Sequence, residues 1–341
     1  MNLKDTKYSR FLLVQEMMDT VRVVRDFDVH QTEQVAHHIK GIGKLFLTGE
    51  GSSRIFPAKN AIRNALSSGM SLQIATDGSR QAAHYNLSTY AVFCASNSGR
   101  TKEVVSLARK LAAEGNKNRF GLSAKAGTPL EQLCERTFVL TCGWEQAVAA
   151  TKSVVEQALF YESILGHQNG AVHQAVGAEL SGMIEQALTL PLDSGIVEAA
   201  AKAPTIYFAG YNNGVAEELT LKTNEITRKK SDFLEGTYAV HGIEEVMNAS
   251  DIVFVVDPIA EEIEKFQEVL VTGVGLKVVA ISGGDTPFPT IRVPEAGDLA
   301  PYVHLCAGWN LLVEIGLSLG INLDKPVRAR KVGNEVESRF P

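Results

Sequence analysis

Several features that define other protein classes are missing from this sequence. No run of apolar residues approaches the roughly 18 that a membrane-spanning helix needs. The N-terminal segment is charged and amphipathic, without the apolar core and small-residue cleavage site of a signal peptide. The net charge is −6 and no basic tract occurs, which argues against nucleic acid as a partner. We therefore expect a cytoplasmic protein with no membrane or nucleic-acid partner.

Cysteine is scarce and forms no recognisable motif. The four cysteines are scattered and include no C-x-x-C pair. Cys94 and Cys306 lie within apolar runs, which predicts buried, reduced thiols. The histidines show no common zinc-binding spacing, and neither a G-x-S-x-G elbow nor a Walker loop occurs. No metal site and no cofactor is expected.

The chain is long enough for two domains, and its pattern of elements repeats. At 341 residues it exceeds the size at which a single core usually keeps growing. Short apolar β-rich runs alternate with helical stretches, which predicts parallel sheets covered on both faces. The segment FLTG at 46–49 returns as YFAG at 207–210, which indicates an internal duplication. The predicted parts are N-terminal helices at 1–40, a first domain at 41–190, a second domain at 191–320 and a tail at 321–341.

Helical periodicity also predicts individual elements. A helix is expected at 102–114, and a long helix is expected near 145–165. A helical connector should then span 168–188. In the second domain, helices are expected near 215–229, 259–271 and 302–319.

The loop at 96–101 after the third predicted strand, here called the hydroxyl loop, concentrates anion-binding groups. Its sequence is Ser96-Asn97-Ser98-Gly99-Arg100-Thr101, and a helix begins at once. Hydroxyls and free N–H groups at a helix N-terminus favour negative charge. A Ser/Thr helix cap is the simpler interpretation, but a cap needs only one such residue. We therefore predict that this loop binds phosphate.

A glycine turn follows the first predicted strand. G-x-G at 49–51 and Asp77 at the end of the next strand suggest a dinucleotide site, but Arg54 stands where that motif needs its third glycine. Ser52 and Ser53 suit hydroxyl contacts to a polar ligand better. A nicotinamide-dependent oxidoreductase therefore remains as a minor alternative.

Two further segments carry ionisable residues. Glu218, Lys222 and Glu225 are spaced to share one helix face, which would by itself be typical of a solvated face with an ion pair. His241 is followed by glycine at a predicted turn, and a lone histidine there is more often structural.

Together these motifs resemble the sugar isomerase (SIS) family, in particular the isomerase half of glucosamine-6-phosphate synthases. That family's Ser-Gln-Ser-Gly-Glu-Thr loop is similar to 96–101, its Cys-Gly-Thr-Ser turn to 50–53, and its Ala-Ser-Thr-Lys helix start to 149–152. Its Glu-x-x-x-Lys-x-x-Glu helix matches 218–225, and its His-Gly follows sixteen residues later, as in this chain. Its C-terminal Asp-x-Pro-Arg-Asn-Leu-Ala-Lys resembles 324–331.

The resemblance implies an α/β fold of two tandem SIS domains, each a doubly wound parallel sheet in three layers, α/β/α. It also implies roles for individual residues. The residues are Glu225, His241 and Lys331 for catalysis; Ser96, Asn97, Ser98 and Thr101 for phosphate; Glu50, Ser52, Ser53, Val148 and Ala150 for sugar; and Glu218 and Lys222 in support.

The implied reaction is an isomerisation, deamination or deglycation at C1–C2 of an (amino) sugar 6-phosphate. His241 would open the sugar ring, since a group with pKa near neutrality can move that proton. Glu225 would carry protons through an enediol or enolamine, and Lys331 would polarise or condense with the carbonyl. The resemblance further implies a homodimer in which the neighbouring subunit donates His241.

Three departures concern the choice of sugar. Glu50 replaces a small or thiol residue, Arg100 an acidic residue, and Ala150 a serine. Glu50 suggests pairing with a cationic amine on the substrate. Asn2 stands where a glutamine-hydrolysing domain would need its cysteine, so glutamine-dependent synthesis is not expected. A non-catalytic sugar-phosphate-binding regulator is the main alternative to an enzyme.

Overall fold

The computed structural model describes residues 1–170, 176–331 and 333–336. By its internal contacts the chain divides into two compact units. The N-terminal sheet unit consists of Arg22–Ala178 with the described residues of Arg328–Pro341. The C-terminal sheet unit consists of Met1–Val21 and Glu179–Val327. Each is described separately.

The N-terminal sheet unit is built on five parallel strands in the order β2-β1-β3-β4-β5. The strands are β1 (Lys44–Gly49), β2 (Gln73–Gly78), β3 (Ala91–Ala95), β4 (Arg119–Ser123) and β5 (Arg136–Val139). Two helices begin the chain, α1 (Thr6–Ser9) and α2 (Leu12–Arg25), and up to Val21 they belong to the C-terminal sheet unit. The helices of the N-terminal sheet unit are α3 (Glu33–Ile42), α4 (Ile55–Ser67), α5 (Ser79–Ala82), α6 (Lys102–Ala113), α7 (Pro129–Leu133) and α8 (Lys152–Asn169).

Alternating side chains explain why helices cover both faces of this sheet. Leu45 and Leu47 of β1 join Phe93 of β3 in one apolar cluster, together with residues of α3, α4 and α8. Phe46 of β1 joins Cys94 of β3 in a second cluster, which α5, α6 and α7 complete. Successive residues of a strand point to opposite faces, so a continuously apolar strand needs a helical layer on each side.

The C-terminal sheet unit repeats this architecture. Its five parallel strands have the order β10-β9-β8-β6-β7. Read from β7 to β10, this is the strand order of the first sheet, with β6 in the place of β1 and β8 in the place of β3. The strands are β6 (Thr205–Gly210), β7 (Lys230–Glu235), β8 (Ile252–Val256), β9 (Lys277–Ser282) and β10 (Thr290–Arg292). The helices are α9 (Val176–Thr189), α10 (Ser194–Lys202), α11 (Val215–Lys222), α12 (Ile263–Phe266) and α13 (Ala300–Ser318).

The predicted fold class, α/β with helices on both faces of parallel sheets, is confirmed. The shared strand order also agrees with the predicted internal duplication. In the N-terminal sheet unit, α4 follows β1 on one face and α6 follows β3 on the other. The carboxyl ends of β1 and β3 therefore form a topological switch point, where ligands of such sheets bind.

The helix predictions differ from the structure in their boundaries. The helix expected near 145–165 begins only at Lys152, because residues before it form a loop with polar contacts described below. The helix expected at 215–229 ends at Lys222 and continues as a π-helical turn, Thr223–Thr227. The helix at 259–271 is broken into α12 and a π-helical segment, Gln267–Val274. The start of the connector at 168–188 includes residues outside the described ranges.

The four cysteines are buried free thiols, as predicted for Cys94 and Cys306. Burial raises the pKa of Cys306, and for Cys94 a hydrogen bond with Cys134 and burial raise it well above the ordinary value. Among helices in the described ranges, none is long and apolar enough to cross a membrane.

The aromatic core of the N-terminal sheet unit gives a stability prediction. Phe93 is fully buried, and its ring centroid lies 5.2 Å from Phe120 and 5.7 Å from Phe160. Phe93→Ala removes these contacts and leaves a cavity, so we expect a loss of about 3–5 kcal/mol in the free energy of unfolding, measured with urea. Leu66→Ala, at a position 73% exposed, should change it by less than about 0.5 kcal/mol. Equal effects of the two substitutions would contradict the packing described.

Candidate functional site

The hydroxyl loop joins β3 to α6 at the switch point of the N-terminal sheet unit. Its three hydroxyls are linked before any ligand is bound. Ser96 Oγ lies 2.8 Å from Thr101 Oγ1 and 3.4 Å from Ser98 Oγ, and Ser98 Oγ accepts the Arg100 N–H at 3.1 Å. Ser96 and Ser98 are buried. The loop thus holds several rotatable O–H donors close together in a fixed backbone.

The simpler interpretation of this loop, a Ser/Thr helix cap, does not describe its geometry. Thr101 occupies the N-cap position of α6 but makes no side-chain capping bond. The N–H of Lys102 is instead satisfied by the carbonyl of Asn334 at 3.0 Å. The N-terminus of a twelve-residue helix, with its positive dipole end, therefore faces the hydroxyls rather than being closed by one of them.

Gly99 is required by the shape of the loop. Its φ of +63° lies in the left-handed region, which costs other residues about 1–2 kcal/mol. A Cβ at this position would lie 2.5 Å from the Cβ of Thr128. The loop can therefore pass Thr128 only with glycine at position 99.

The C-terminal tail lies against the hydroxyl loop within the same unit. The Val336 N–H donates to the Arg100 carbonyl at 3.0 Å, and the Arg100 Nε lies 3.7 Å from a carboxylate oxygen of Glu335. Asn334 Nδ2 donates to Glu103 Oε1 at 2.6 Å. Arg100 thus anchors the tail.

Lys331 lies in the same C-terminal tail. Its Nζ lies 5.7 Å from the ring centroid of Trp144, and Lys125 Nζ lies 4.2 Å from the same ring. Ammonium groups are attracted to the electron-rich face of an indole. The structure thus brings the predicted lysine onto the unit that carries the hydroxyl loop.

A buried glutamate, Glu145, ties the hydroxyl loop to the start of α8. Its carboxylate has no exposed surface. Asn97 Nδ2 and the Thr151 N–H donate to it at 2.8 and 2.7 Å, and Ser153 Oγ donates to the same carboxylate. Helical periodicity placed Glu145 at the start of a predicted helix and did not single it out; its position shortly before 149–152, the segment similar to the Ala-Ser-Thr-Lys helix start, was the available signal.

The glycine turn after β1 is held by neighbouring elements. Gln157 Nε2 of α8 donates to the Ser53 carbonyl at 2.5 Å, and Ser52 is buried. Glu50 Oε1 accepts the Ser79 N–H at the start of α5 at 2.9 Å. Partial burial raises the pKa of the Glu50 carboxyl above its ordinary value, and the bond from Ser79 opposes that rise.

The residues that suggested a dinucleotide site are engaged in other contacts. Asp77 accepts the Tyr85 hydroxyl at 2.6 Å and the Gly78 N–H at 2.8 Å. The Asp77 carboxylate, which a dinucleotide site would use to accept hydrogen bonds from ribose hydroxyls, thus already accepts two hydrogen bonds within the protein. Val148 and Ala150, predicted to contact sugar, are half-buried in the loop before α8.

The C-terminal sheet unit brings Glu218, Lys222 and Glu225 together. Lys222 Nζ lies 3.3 Å from Glu218 Oε1 and 2.7 Å from Glu225 Oε2. Burial alone would lower the pKa of Lys222, but the attraction of the two carboxylates outweighs it, so the pKa lies well above its ordinary value. Glu218 and Lys222 have no exposed surface, whereas the Glu225 side chain is 26% exposed.

Glu225 therefore differs from its partners in being accessible. It lies in the π-helical turn that follows α11, and such turns frequently occur at functional sites. Lys222 engages Oε2, which leaves Oε1 as the oxygen not held by that lysine. The predicted helix face is a buried ion-pair network with one carboxylate at the surface.

His241 lies on the surface of the same unit. It follows a 3₁₀ turn, Tyr238–Val240, and precedes another, Ile243–Val246. Tyr238 is 53% exposed and Val246 is 64% exposed. The histidine is thus flanked by apolar surface.

The strand end that corresponds to the hydroxyl loop in the C-terminal sheet unit has a different character. The Asp257 N–H donates to the Ile281 carbonyl at 3.0 Å, as the Ser96 N–H donates to the Leu122 carbonyl at 2.9 Å. Asp257 therefore occupies the place of Ser96 in the repeated fold. A carboxylate there repels a phosphate dianion, so the anion-binding features belong to the N-terminal sheet unit.

The hydroxyl loop yields a prediction about Gly99. Gly99→Ala should destabilise the chain by several kcal/mol, because the added Cβ meets Thr128 in addition to the unfavourable φ. Gly115→Ala is the matched control: its φ is +75° but no atom lies within 4 Å of the added Cβ. It should cost only about 1–2 kcal/mol. Urea unfolding with equal midpoints for the two variants would contradict the contact with Thr128.

The ion-pair network yields a second prediction. Lys222→Met leaves buried Glu218 without its cation, so we expect a loss of about 3–5 kcal/mol in the free energy of unfolding. Because folding raises the pKa of Lys222, the wild-type contribution is complete at neutral pH and is lost only as the pH rises beyond the ordinary lysine range. Lys202→Met, which breaks an exposed pair with Glu198, should leave the urea midpoint unchanged within error. A similar small effect for Lys222→Met would contradict the network.

No protein-family model matches this sequence, and no curated protein matches it. Solved structures do share its fold. The C-terminal domain of glucosamine-fructose-6-phosphate aminotransferase from Francisella tularensis has 15% identity and a TM-score of 0.77, covering 96% of this chain and 100% of that chain. Tagatose-6-phosphate ketose/aldose isomerase from Escherichia coli has 14% identity and a TM-score of 0.77, covering 95% and 99%.

A third similar structure is glucosamine-6-phosphate deaminase from Thermotoga maritima. It has 18% identity and a TM-score of 0.72, and the match covers 94% of this chain and 99% of that chain. These likenesses extend over nearly the whole length of every chain compared. They establish that this chain has the fold of these proteins.

Proposed function

We propose that this chain is an enzyme that acts at C1–C2 of a sugar 6-phosphate, and that it releases ammonia or an amine from an amino sugar or fructosamine-type substrate. Plain aldose–ketose isomerisation shares the same first steps. The proteins with this fold include a ketose/aldose isomerase and a deaminase by name. The reaction needs no cofactor, and the four buried free thiols support a cytoplasmic location.

The observation that carries the proposal is the hydroxyl loop at the switch point. The linked hydroxyls of Ser96, Ser98 and Thr101 precede the N-terminus of α6, which their side chains do not cap. O–H donors and a helix dipole together favour a doubly charged phosphate over a neutral group. A phosphorylated ligand is therefore the best match to this end of the sheet.

The acid–base half of the reaction is assigned to the C-terminal sheet unit. Glu225 has an accessible carboxylate whose Oε2 is held by Lys222, so its position is fixed while Oε1 is available to carry a proton between C1 and C2. Glu218 shares the buried lysine and so supports the same arrangement. We assign ring opening to His241.

His241 is proposed to act in a homodimer. His241 is exposed between two 3₁₀ turns that carry the exposed side chains of Tyr238 and Val246, and covering these large side chains would favour contact with a second copy. In this scheme each subunit donates its histidine to the substrate of its partner.

Lys331 and Glu50 complete the proposed site. Lys331 is carried by the tail that binds the hydroxyl loop, and its amine would polarise or condense with the open-chain carbonyl. Ser52, Ser53, Val148 and Ala150 would contact the sugar. Glu50 Oε1 is engaged by Ser79, and its other oxygen would pair with a cationic amine on the substrate.

The test is release of ammonia, amine or isomer from a panel of 6-phosphosugars, including glucosamine 6-phosphate and fructosamine-type phosphates. Glu225→Gln should lower turnover by at least about 100-fold while phosphosugar binding persists, because the amide cannot accept the proton. The matched control is Glu217→Gln, on α11 eight residues before Glu225, which should keep wild-type turnover. Binding without turnover of any member by the wild-type chain would favour the regulator instead.

The shared site is tested by mixing inactive variants. Glu225→Gln and His241→Gln chains, each inactive alone, should regain activity when dissociated and reassociated together, because a mixed dimer holds one intact set of residues. Failure of mixtures to regain activity, with dimers verified by light scattering, would contradict donation of His241 by a second subunit.

A further inference from the structure

The side chain of Asn97 differs from the rest of the hydroxyl loop in what it can offer a ligand. Both hydrogens of its amide are already donated. Nδ2 lies 2.8 Å from Glu145 Oε2 and 2.8 Å from Ser153 Oγ. No side-chain donor of Asn97 remains for a phosphate oxygen.

The orientation of this amide is fixed by Glu145. A carboxylate without exposed surface can only accept, so the nitrogen of Asn97 must face it. Ser153 donates its own proton to Glu145, and it therefore accepts from Asn97 rather than donating to it. Rotating the amide by half a turn would set its oxygen against Glu145 and lose both bonds.

The same constraint leaves the oxygen of the amide without a partner. Asn97 Oδ1 is buried and accepts no hydrogen bond from any residue that the structure describes. Buried acceptors are nearly always satisfied in folded proteins, so a persistent exception requires an explanation. The carbonyl oxygen can accept a hydrogen bond but cannot bind a phosphate dianion, whose oxygens are acceptors as well.

We infer that Asn97 Oδ1 recognises a hydroxyl of the ligand, and that Glu145 is the positioning residue that holds it for this purpose. The inference rests on the proposed function, because Asn97 is adjacent to Ser96 and Ser98 of the proposed phosphate site. It makes Asn97 a specificity residue for phosphorylated polyols and sugars over phosphate alone. Binding includes a small opening of the loop, since Oδ1 has no accessible surface without a ligand.

The experiment is isothermal titration calorimetry of the full chain with two probes: inorganic phosphate, and sorbitol 6-phosphate, an open-chain polyol that cannot isomerise. Asn97→Ala should raise the dissociation constant of sorbitol 6-phosphate about tenfold or more and change that of phosphate by less than about threefold. Equal losses for both probes, or no loss for either, would overturn the inference.

Glu145→Gln tests the positioning directly and serves if Asn97→Ala fails to fold. The new amide donates toward Asn97, whose own amide must then turn and present its nitrogen in place of Oδ1. The affinity for sorbitol 6-phosphate should fall about as much as in Asn97→Ala, while phosphate binding is kept. The variant that combines Asn97→Ala with Glu145→Gln should show no further loss of affinity. Additive losses would overturn the inference.

Glu156→Gln is the matched control. Glu156 is also a buried carboxylate of α8, but it accepts from Thr141 and Cys142 and has no bond to Asn97. It should lower stability without changing the ratio of the two dissociation constants, and a changed ratio would count against the inference. A wild-type chain that binds neither probe would instead contradict the proposed function itself.

Discussion

The carboxylate of Glu145 must be satisfied away from water, and much of the N-terminal sheet unit is arranged around that requirement. An ionised carboxylate is expensive to bury without donors. Donors come from Asn97 of the hydroxyl loop and from Thr151 and Ser153 at the start of α8. One buried carboxylate thus connects the loop after β3 to the start of α8, which lies 55 residues after Asn97 in the same unit.

The first turns of α8 continue this role. Glu156 accepts the N–H groups of Thr141 and Cys142 at 2.7 Å each, and Gln157 donates to the carbonyl of Ser53. A single helix therefore holds the chain after β1, β3 and β5 through buried polar side chains. Such networks are costly unless complete, and when complete they fix backbone that would otherwise be mobile. That rigidity is what an anion site made of loop hydroxyls needs.

The two units share one strand order but carry different side chains at equivalent strand ends. The repeated strand order places Ser96 and Asp257 at equivalent strand ends, yet one begins a loop of hydroxyls and the other is a carboxylate. The buried lysine with its two glutamates lies on α11 and the turn that follows it, in the C-terminal sheet unit. The two units thus share a backbone arrangement and differ in the side chains at equivalent strand ends.

Much of this was predictable from local sequence, and the failures have physical causes. The strands and both switch-point turns follow from apolar runs that end in Gly49 or Ser96, because a parallel sheet buried on both faces leaves a strong pattern. The late start of α8 was not predictable from periodicity, since residues 145–151 have helical spacing, whereas Glu145 is engaged by Asn97, Thr151 and Ser153. Likewise, helical spacing alone does not reveal that α11 ends in a π-helical turn, Thr223–Thr227.

The C-terminal tail was also not predictable from periodicity. Residues 321–336 show no periodicity, because the part that binds the loop does so through backbone groups and through Arg100. Only the resemblance to a known family suggested a role for Lys331 of this tail.

The central claim is that the hydroxyl loop holds a phosphate, and a crystal structure of the chain with glucosamine 6-phosphate tests it most directly. The account predicts phosphate oxygens within about 3 Å of the hydroxyls of Ser96, Ser98 and Thr101. Well-defined ligand density elsewhere, with these three hydroxyls still bonded only to one another, would contradict it.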